Sequence, residues 1–198
     1  MKTIESSADA VSSLSPEGGA TTRLFILGAT GRTGAELVDQ ALARGHAVTA
    51  FVRSAQKIAR PHERLTVIEG DPREAGQLHA ALPGHDIVLS ALGAGAGADH
   101  PRLSLLPPKR SGPVTICGDS ARSTVRAMRE TGVRRFMVVS VGFLFTDFPL
   151  GTIVGNLLFR DVVRDAREME RAVMDSDLEW TIVRPPQLTT GVRTDITA

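Results

Sequence analysis

The chain has 198 residues, a length typical of one domain, and its 42% of hydrophobic residues is enough for a packed core. A formal net charge of +1 gives no electrostatic basis for binding nucleic acid or a membrane surface. The only cysteine, Cys117, excludes an intrachain disulfide, so we expect a reducing, cytoplasmic compartment.

Residues 1–22 are rich in Ser, Ala, Glu and Gly and contain no apolar run of signal-peptide length. This composition predicts a flexible leader rather than a targeting sequence, followed by one folded domain over residues 23–198. No stretch of the sequence is long and apolar enough to predict a membrane span.

Short apolar runs alternate with amphipathic segments from residue 23 onward. The predicted strands are Arg23–Leu27, Ala47–Val52, Leu65–Glu69, Asp86–Leu92, Arg135–Ser140 and Glu179–Val183. The predicted helices are Thr33–Arg44, Ala55–Ala59, Ala75–Leu82, Val114–Thr131 and a long helix that ends near Asp175. The alternation predicts an α/β fold with a doubly wound parallel sheet of the Rossmann type, strand order 3-2-1-4-5-6, and a short C-terminal part.

A glycine-rich turn, Gly28-Ala29-Thr30-Gly31-Arg32-Thr33-Gly34, directly follows the first strand and opens the first helix. In that context its spacing is typical of a dinucleotide-binding site, although a plain strand–helix turn is the alternative. Gly28 is expected to form a tight turn, Gly31 to admit the pyrophosphate, and Gly34 to let the helix pack on the sheet. The residues predicted to contact the phosphates are Gly28, Thr30, Gly31, Arg32, Thr33 and Gly34.

The second strand ends in Val52-Arg53-Ser54, where NAD-specific folds carry an acidic residue that binds the ribose hydroxyls. A carboxylate would repel a 2′-phosphate, whereas the Arg53 guanidinium attracts it and can bind it through two hydrogen bonds. NADP(H) is therefore favoured over NAD(H) as the cofactor. The alternative for Arg53 is a solvated arginine at a strand end.

Four segments together carry a family resemblance: Gly28–Gly34, Phe51-Val-Arg-Ser54, Glu69-Gly-Asp71 and Trp180-Thr-Ile-Val-Arg-Pro-Pro186. They resemble the atypical short-chain dehydrogenase/reductases, within these the NAD(P)H-binding, NmrA-like group, and most of all its biliverdin-IXβ reductase or NADPH-dependent flavin reductase type. The resemblance covers about residues 23–190 and implies an NAD(P)H-dependent oxidoreductase.

The resemblance also implies positions for the cofactor. Arg53 and Ser54 would lie at the 2′-phosphate, and Asp71 near the adenine, although Asp71 is equally typical of a turn residue before proline. Ser140 would lie beside the nicotinamide as the candidate catalytic residue, or else cap the end of its strand. The other implied cofactor contacts are Ala91, Leu92, Gly93, Pro185, Pro186 and Gln187.

The chain has no tyrosine, which excludes the Tyr-Lys proton-donor pair that classical members of the superfamily use. Where the atypical group often carries Lys or His, this sequence has Ala166, in a predicted apolar stripe of Val162, Ala166, Met169 and Val173. The serine that the reductase type places beside the nicotinamide corresponds to Val141. Nearby Asp161, Asp165, Arg164 and Arg167 are expected to be solvated, with Arg164 paired to Glu168.

Hydride transfer to a flat, electron-poor acceptor needs mainly stacking and orientation, so an NADPH-dependent reductase of a flavin, quinone or tetrapyrrole is the first hypothesis. Phe143, Leu144, Phe145 and Phe148 are predicted either to stack on this acceptor or to pack in the core. The glycine- and proline-rich loop over residues 93–113 is predicted to be a lid or a disordered segment. Its Lys109 and Arg110 would clamp an anionic acceptor or stay solvated.

The second hypothesis is a non-catalytic NADP(H)-sensing protein that binds a regulatory protein partner, in the manner of NmrA-like regulators. A third, an epimerase or dehydratase acting on a nucleotide sugar, is weaker because those relatives also rely on the Tyr-Lys pair. The five histidines are scattered and Cys117 has no partner at metal-ligand spacing, so no metal site is predicted. A monomer or weak homodimer is expected.

Overall fold

The computed structural model describes residues 21–58, 61–93, 114–141 and 160–185. These residues form six strands and four α-helices, with one 3-10 turn, Ala55–Lys57, after the second strand. In chain order the elements are β1 Arg23–Leu27, α1 Arg32–Ala43, β2 Ala47–Val52, β3 Leu65–Glu69, α2 Ala75–Ala81, β4 Ile87–Ser90, α3 Ile116–Thr131, β5 Arg135–Val139, α4 Arg160–Met174 and β6 Glu179–Val183.

All six strands run parallel in the order β3-β2-β1-β4-β5-β6, which confirms the predicted topology. At the end of β1, Leu27 is paired with Phe51 of β2 on one side and with Ser90 of β4 on the other. The chain therefore winds away from β1 in both directions, and a doubly wound sheet has its crevice outside the C-terminal ends of the two strands at this point, β1 and β4. In doubly wound sheets this is where ligands bind.

The two faces of the sheet are covered by different helices. Phe25 and Leu27 of β1 pack in one apolar cluster with residues of α2, α3 and α4, whereas Leu24 and Ile26 pack in a second cluster with α1. Successive side chains of a strand point to opposite faces of the sheet. Because helices cover both faces here, every residue of β1 after Arg23 is apolar. The packing fixes α1 behind the glycine-rich turn.

The β6 strand lies at one end of the sheet and is the least buried of the six. Trp180 and Val183 on this strand are each 41% exposed. Within the described ranges, none of the helices has the length and apolar character needed to cross a bilayer. The described residues also contain no cluster of His, Cys, Asp and Glu suited to a metal ion.

Several element boundaries differ from prediction by one or two residues. The α1 helix begins at Arg32 rather than Thr33, because Gly31 is the last residue with extended backbone. The β5 strand ends at Val139, so Ser140 follows the strand instead of closing it. The apolar stripe of α4 contains Val163 in place of Val162, and the buried face it belongs to also holds Asp165 and Glu170.

Candidate functional site

The glycine-rich turn brings the ends of β1 and β4 into contact. Gly28 has φ +80°, in the left-handed region that favours glycine, and a Cβ added there would lie 2.8 Å from backbone atoms of Ala91. A Cβ on Gly34 would lie 2.1 Å from the Gly28 carbonyl oxygen. The tight turn and the close helix–strand packing predicted for these two glycines are therefore present.

The N-terminus of α1 is open within the part of the chain that the structure describes. Gly31 precedes the helix with extended backbone, no side chain caps it, and no acidic residue stands in the first turn. The Gly31 N–H donates to the Gly28 carbonyl at 2.9 Å, and the Ala35 N–H donates to the Gly31 carbonyl at 2.8 Å. The N–H groups between them begin the helix without a capping side chain, at the positive end of its dipole. Such an end binds phosphate.

Two exposed arginines stand at this edge of the sheet. Arg32 is the first residue of α1, and Arg53 follows the last residue of β2. Among the described residues, no hydrogen bond or ion pair holds either guanidinium. Ser54, half-buried beside Arg53, likewise makes no capping hydrogen bond. Within the described residues these side chains are available to an anionic group, and the 2′-phosphate contact of Arg53 stays a prediction.

Asp71 stands in a tightly bonded turn after β3. Its backbone N–H donates to Oε1 of Gln77 at 2.8 Å, and its carboxylate accepts the Nε–H of Arg73 at 3.0 Å. The backbone N–H of Arg73 also donates to Oδ1 of Asp71, at 3.0 Å. These hydrogen bonds from Arg73 keep the pKa of Asp71 below its usual value. The turn alternative for Asp71 is therefore what the structure shows, and contact with adenine stays a prediction.

The segment after β4 lies against the glycine-rich turn. The Ala91 N–H donates to the carbonyl of Leu27 at 2.9 Å, which extends the β1–β4 pairing by one bond. The next carbonyl, that of Leu92, accepts the thiol of Cys117 at 3.6 Å. Gly93 is exposed and has open space around its Cα. The three residues implied to contact the ribose thus follow one another at the crevice.

Ser140 lies where β5 and β6 end, next to an ion pair of which only the carboxylate is buried. Its N–H donates to the carbonyl of Val183 at 2.8 Å, and its side chain is only 6% exposed. On α4, the buried carboxylate of Glu170 accepts Nε–H and Nη2–H of Arg184, each at 2.9 Å. The Ser140 hydroxyl is close to that carboxylate without forming a hydrogen bond of regular geometry.

The electrostatics of this pair favour the ionised form of Glu170. Burial raises the pKa of Glu170, but the Arg184 guanidinium and the nearby Ser140 hydroxyl outweigh burial and lower it. An ionised carboxylate that is already bound by a guanidinium has no proton to donate. Among the described residues, Ser140 consequently has no activating base or acid in a position to make it a strong proton donor.

Asp165 corrects a prediction, because it is not solvated but 1% exposed. Its two oxygens accept the N–H groups of Cys117 at 3.0 Å and Gly118 at 2.7 Å, at the start of α3. Thr115 provides no side-chain cap there, so the buried carboxylate supplies the negative charge that a helix N-terminus attracts. The available signal was the place of Asp165 on the buried stripe, four residues before Met169.

Cys117 behaves as a core residue, in agreement with its apolar neighbours in the sequence. It is 8% exposed and belongs to the cluster between the sheet and α3 and α4. Burial, and after it the charge of Asp165, raise the pKa of its thiol far above the ordinary value. A thiol in that state is not a nucleophile at neutral pH.

The remaining α4 predictions are partly wrong. Arg164 pairs with Asp161 at 3.2 Å and not with Glu168. The reason is that Glu168 lies against α3, where its carboxylate approaches Arg122 at 3.6 Å. Ala166 is 5% exposed and packs as a core residue, so no proton donor replaces the missing Lys or His at that position.

The structure brings fourteen of the sixteen predicted cofactor residues to the same, C-terminal edge of the sheet. Pro185 is among them, half-buried after Arg184. Pro186, Gln187, the Phe143–Phe148 cluster and the loop residues Lys109 and Arg110 lie outside the described residues. The fourteen are Gly28, Thr30, Gly31, Arg32, Thr33, Gly34, Arg53, Ser54, Asp71, Ala91, Leu92, Gly93, Ser140 and Pro185.

Comparison with known proteins agrees with this arrangement. The model of a family described as NAD(P)H-binding matches residues 28–198. A 3-diazoavenalumate denitrifying reductase from Streptomyces is 32% identical over 180 residues, which cover 82% of this chain and 55% of the relative. The chain spans only 26% to 59% of the length of the first curated relatives that it matches.

Solved structures show the same fold. A short-chain dehydrogenase/reductase from Veillonella parvula, in complex with NADP, superposes with a TM-score of 0.61 at 24% identity, covering 83% of this chain and 69% of that one. The anaerobilin reductase ChuY from Escherichia coli O157:H7 superposes with a TM-score of 0.64 at 22% identity, covering 83% and 72%.

Proposed function

Because this chain belongs to the NAD(P)H-binding family, we propose that it binds NADP(H) and reduces a flat aromatic acceptor of the flavin, quinone or tetrapyrrole type. The observation that carries the proposal is the open N-terminus of α1. No side chain caps it, its first turn is free of acidic residues, and the exposed Arg53 stands at the neighbouring strand end. Together they offer one site for a pyrophosphate and a second for a 2′-phosphate.

The residues present fit such a cofactor. The turn from Gly28 to Gly34 would hold the pyrophosphate, since only glycines allow its backbone to pack this closely. Arg53 and Ser54 would hold the 2′-phosphate, and Ala91, Leu92 and Gly93 the ribose of the nicotinamide half. When bound, the reduced nicotinamide supplies a hydride.

The nicotinamide side of the crevice would contribute orientation rather than acid catalysis. Ser140 and Pro185, with Pro186 and Gln187, would line this side. Both carboxylates nearby are already bound, Asp165 by the start of α3 and Glu170 by Arg184. We therefore propose that the proton needed by the reduced acceptor comes from water, which limits the protein to acceptors that accept hydride without strong acid assistance.

The proposal is tested by calorimetric titration with NADPH, NADH and adenosine 2′,5′-bisphosphate, followed by NADPH oxidation assays with FMN, a quinone and biliverdin. NADPH is expected to bind at least about tenfold more tightly than NADH, which corresponds to one charge-assisted contact. Turnover is expected with at least one acceptor. Equal affinity for the two dinucleotides would contradict the NADP(H) preference, and absence of binding would contradict the function altogether.

A second candidate, a non-catalytic NADP(H) sensor with a protein partner, is favoured by one observation. At the position where relatives often carry Lys or His, Ala166 is 5% exposed and packs in the core. This candidate predicts tight cofactor binding without turnover, and a partner whose affinity changes when NADP(H) is added. Equal partner binding with and without NADP(H) would count against it.

We also propose that the protein acts in a reducing compartment, such as the cytoplasm, as a monomer or weak homodimer. The support is the single cysteine, which is buried and cannot form an intrachain disulfide. Sedimentation analysis across a concentration series gives the oligomeric state. A tight dimer at submicromolar concentration would contradict this expectation.

A further inference from the structure

We propose that Arg73 determines cofactor specificity, because its ion pair with Asp71 holds and compensates a carboxylate that would otherwise compete with the 2′-phosphate for Arg53. The inference rests on the proposed NADP(H) function and deepens it. It assigns a role to a residue of the β3–α2 turn that is not proposed to contact the cofactor itself. Arg73 would therefore act through Asp71, as a positioning residue.

Asp71 and Arg53 lie at neighbouring strand ends. The N–H of Gly70 donates to the carbonyl of Val52 at 2.8 Å, so the residue after each, Asp71 and Arg53, leaves the sheet at the same level. The hydrogen bond from Arg73 is the strongest influence that lowers the pKa of Asp71, and the charge of Arg53 adds to it. An ionised carboxylate thus stands within electrostatic reach of Arg53, the arginine that would bind the 2′-phosphate.

Arg73 engages Asp71 in several ways at once. Its Nε lies 3.0 and 3.1 Å from the two carboxylate oxygens, Nη2 lies 2.5 Å from Oδ2, and its backbone N–H adds a further bond of 3.0 Å. The carboxylate is 29% exposed and the guanidinium 52%. This multiple engagement holds the Asp71 oxygens toward Arg73 and leaves the Arg53 guanidinium without a partner among the described residues.

Two helices hold the turn in this arrangement. Gln77 of α2 accepts the Asp71 N–H through Oε1 at 2.8 Å, and the hydroxyl of Ser123 on α3 donates to the Arg73 carbonyl at 2.6 Å. The backbone on both sides of the ion pair is therefore fixed before any cofactor arrives. An ion pair between residues whose backbone is already fixed loses less conformational entropy when it forms than most pairs at a protein surface.

Without the Arg73 charge, the Asp71 carboxylate is expected to turn toward Arg53. It would then occupy the same guanidinium that binds the 2′-phosphate, and it would repel that phosphate. A carboxylate at the end of β2 has this effect in NAD-specific folds. In this protein the equivalent carboxylate is Asp71, which follows β3, and the positive charge of Arg73 compensates it.

The experiment compares Arg73→Gln with the parent protein by calorimetry. The affinities for NADPH and adenosine 2′,5′-bisphosphate are expected to fall about three- to tenfold, whereas those for NADH and AMP stay within about twofold. The double variant Arg73→Gln with Asp71→Asn is expected to recover the parent affinities, since it removes the carboxylate charge. Arg73→Lys, which keeps the charge, is expected to retain most of the discrimination.

Arg126→Gln is the matched control. It removes one positive charge and one ion pair, that with Glu130 at 3.0 Å on the exposed face of α3, and it should leave all four affinities unchanged. Equal losses for NADPH and NADH in Arg73→Gln, or no recovery on adding Asp71→Asn, would overturn the inference. If the parent protein binds neither 2′-phosphate ligand, the proposed function itself has failed, and that result is seen before any variant is made.

Discussion

Two helices of this molecule begin at the same edge of the same sheet, yet their N-termini are completed in opposite ways. None of the described side chains caps the N-terminus of α1, and its first turn carries no carboxylate. The N-terminus of α3 is filled by the buried carboxylate of Asp165, which reaches across from α4. A helix N-terminus attracts anions in both cases, but only the open one is left to an external phosphate.

The arginines near these two helix ends also differ in whether they are paired. Arg32 and Arg53, on the α1 side, are exposed and unpaired within the described part of the chain. Arg184, on the α4 side, binds the buried Glu170 through two nitrogens. The β1–β3 half of the site therefore offers unused positive charge, whereas in the described part of the β4–β6 half Asp165, Glu170 and Arg184 are already bound within the protein. This contrast explains why the chain has strong features of cofactor binding and weak ones of proton transfer.

The largest expected effect comes from Gly34→Ala, which disturbs the packing of the glycine-rich turn against the start of α1. The added Cβ would meet the Gly28 carbonyl oxygen at 2.1 Å, so the turn and the start of α1 must separate. We expect a loss of about 3 kcal/mol in the free energy of unfolding and no measurable NADPH binding. Urea unfolding and calorimetry measure the two quantities.

The matched control is Gly76→Ala in α2, where an added Cβ meets nothing within 4 Å. It is expected to stabilise the protein by about 0.5 to 1 kcal/mol, because alanine is a better helix former than glycine. If Gly34→Ala folds and binds NADPH as the parent does, the close packing of α1 on the turn is not what forms the site.

The next test removes the carboxylate of Asp165, which caps the N-terminus of α3. In Asp165→Ala the N–H groups of Cys117 and Gly118 lose their buried acceptor, which is expected to cost about 2 to 3 kcal/mol of unfolding free energy. Asp165→Asn keeps one acceptor and should lose less. The affinity for adenosine 2′,5′-bisphosphate should stay within about twofold, since the α1 half is untouched.

Asp161→Ala is the control for that variant, because Asp161 also lies on α4 but forms only an exposed pair with Arg164. Its effect on unfolding should stay below about 0.5 kcal/mol. A similarly small effect for Asp165→Ala would show that α3 does not need this cap.

Reversing the charge of Arg53, beside the N-terminus of α1, is expected to change the affinity for the cofactor and not the stability of the fold. Arg53→Glu is expected to weaken NADPH about ten- to hundredfold and NADH less than about threefold, because only NADPH carries the 2′-phosphate. Arg64→Glu, at the start of β3 and thus at the opposite edge of the sheet, is the charge-matched control. Equal losses of NADPH and NADH in Arg53→Glu would remove Arg53 from the specificity argument.

The smallest expected effect is the pH dependence of stability that arises from the ion pair of Glu170 and Arg184. Burial opposes ionisation of Glu170, but Arg184 and Ser140 lower its pKa below the ordinary 4.5. A lowered pKa in the folded state contributes stability above the ordinary pKa, and this stability is lost as the pH falls through the folded value. Below pH 4.5 the parent should therefore lose stability more steeply than Glu170→Gln. Parallel urea-unfolding curves would contradict an ionised pair.

The elements and their order could be predicted because their signals are local. Each strand is a short apolar run, each helix has its own period, and the three glycines stand at fixed spacing after β1. Arg53 could be singled out as a candidate phosphate ligand from its place at a strand end. The topology then follows from the rules for parallel sheets.

The internal pairings could not be predicted, because they join residues far apart in the chain. Asp165 lies 48 residues from Cys117, and nothing near either residue indicates the other. Glu168 was expected to pair along its own helix, but packing of α4 against α3 places it beside Arg122. The helix-spacing rule holds only for side chains that remain on a solvated face.

Trp180, half-exposed on β6, makes the molecule a natural optical reporter. The chain has one tryptophan and no tyrosine, so its ultraviolet fluorescence arises almost wholly from this strand. The emission band of tryptophan overlaps the absorption of reduced nicotinamide but not that of the oxidised ring. Arrival of the reduced cofactor at the crevice should therefore quench the emission by energy transfer, and its oxidation should restore the signal without any label.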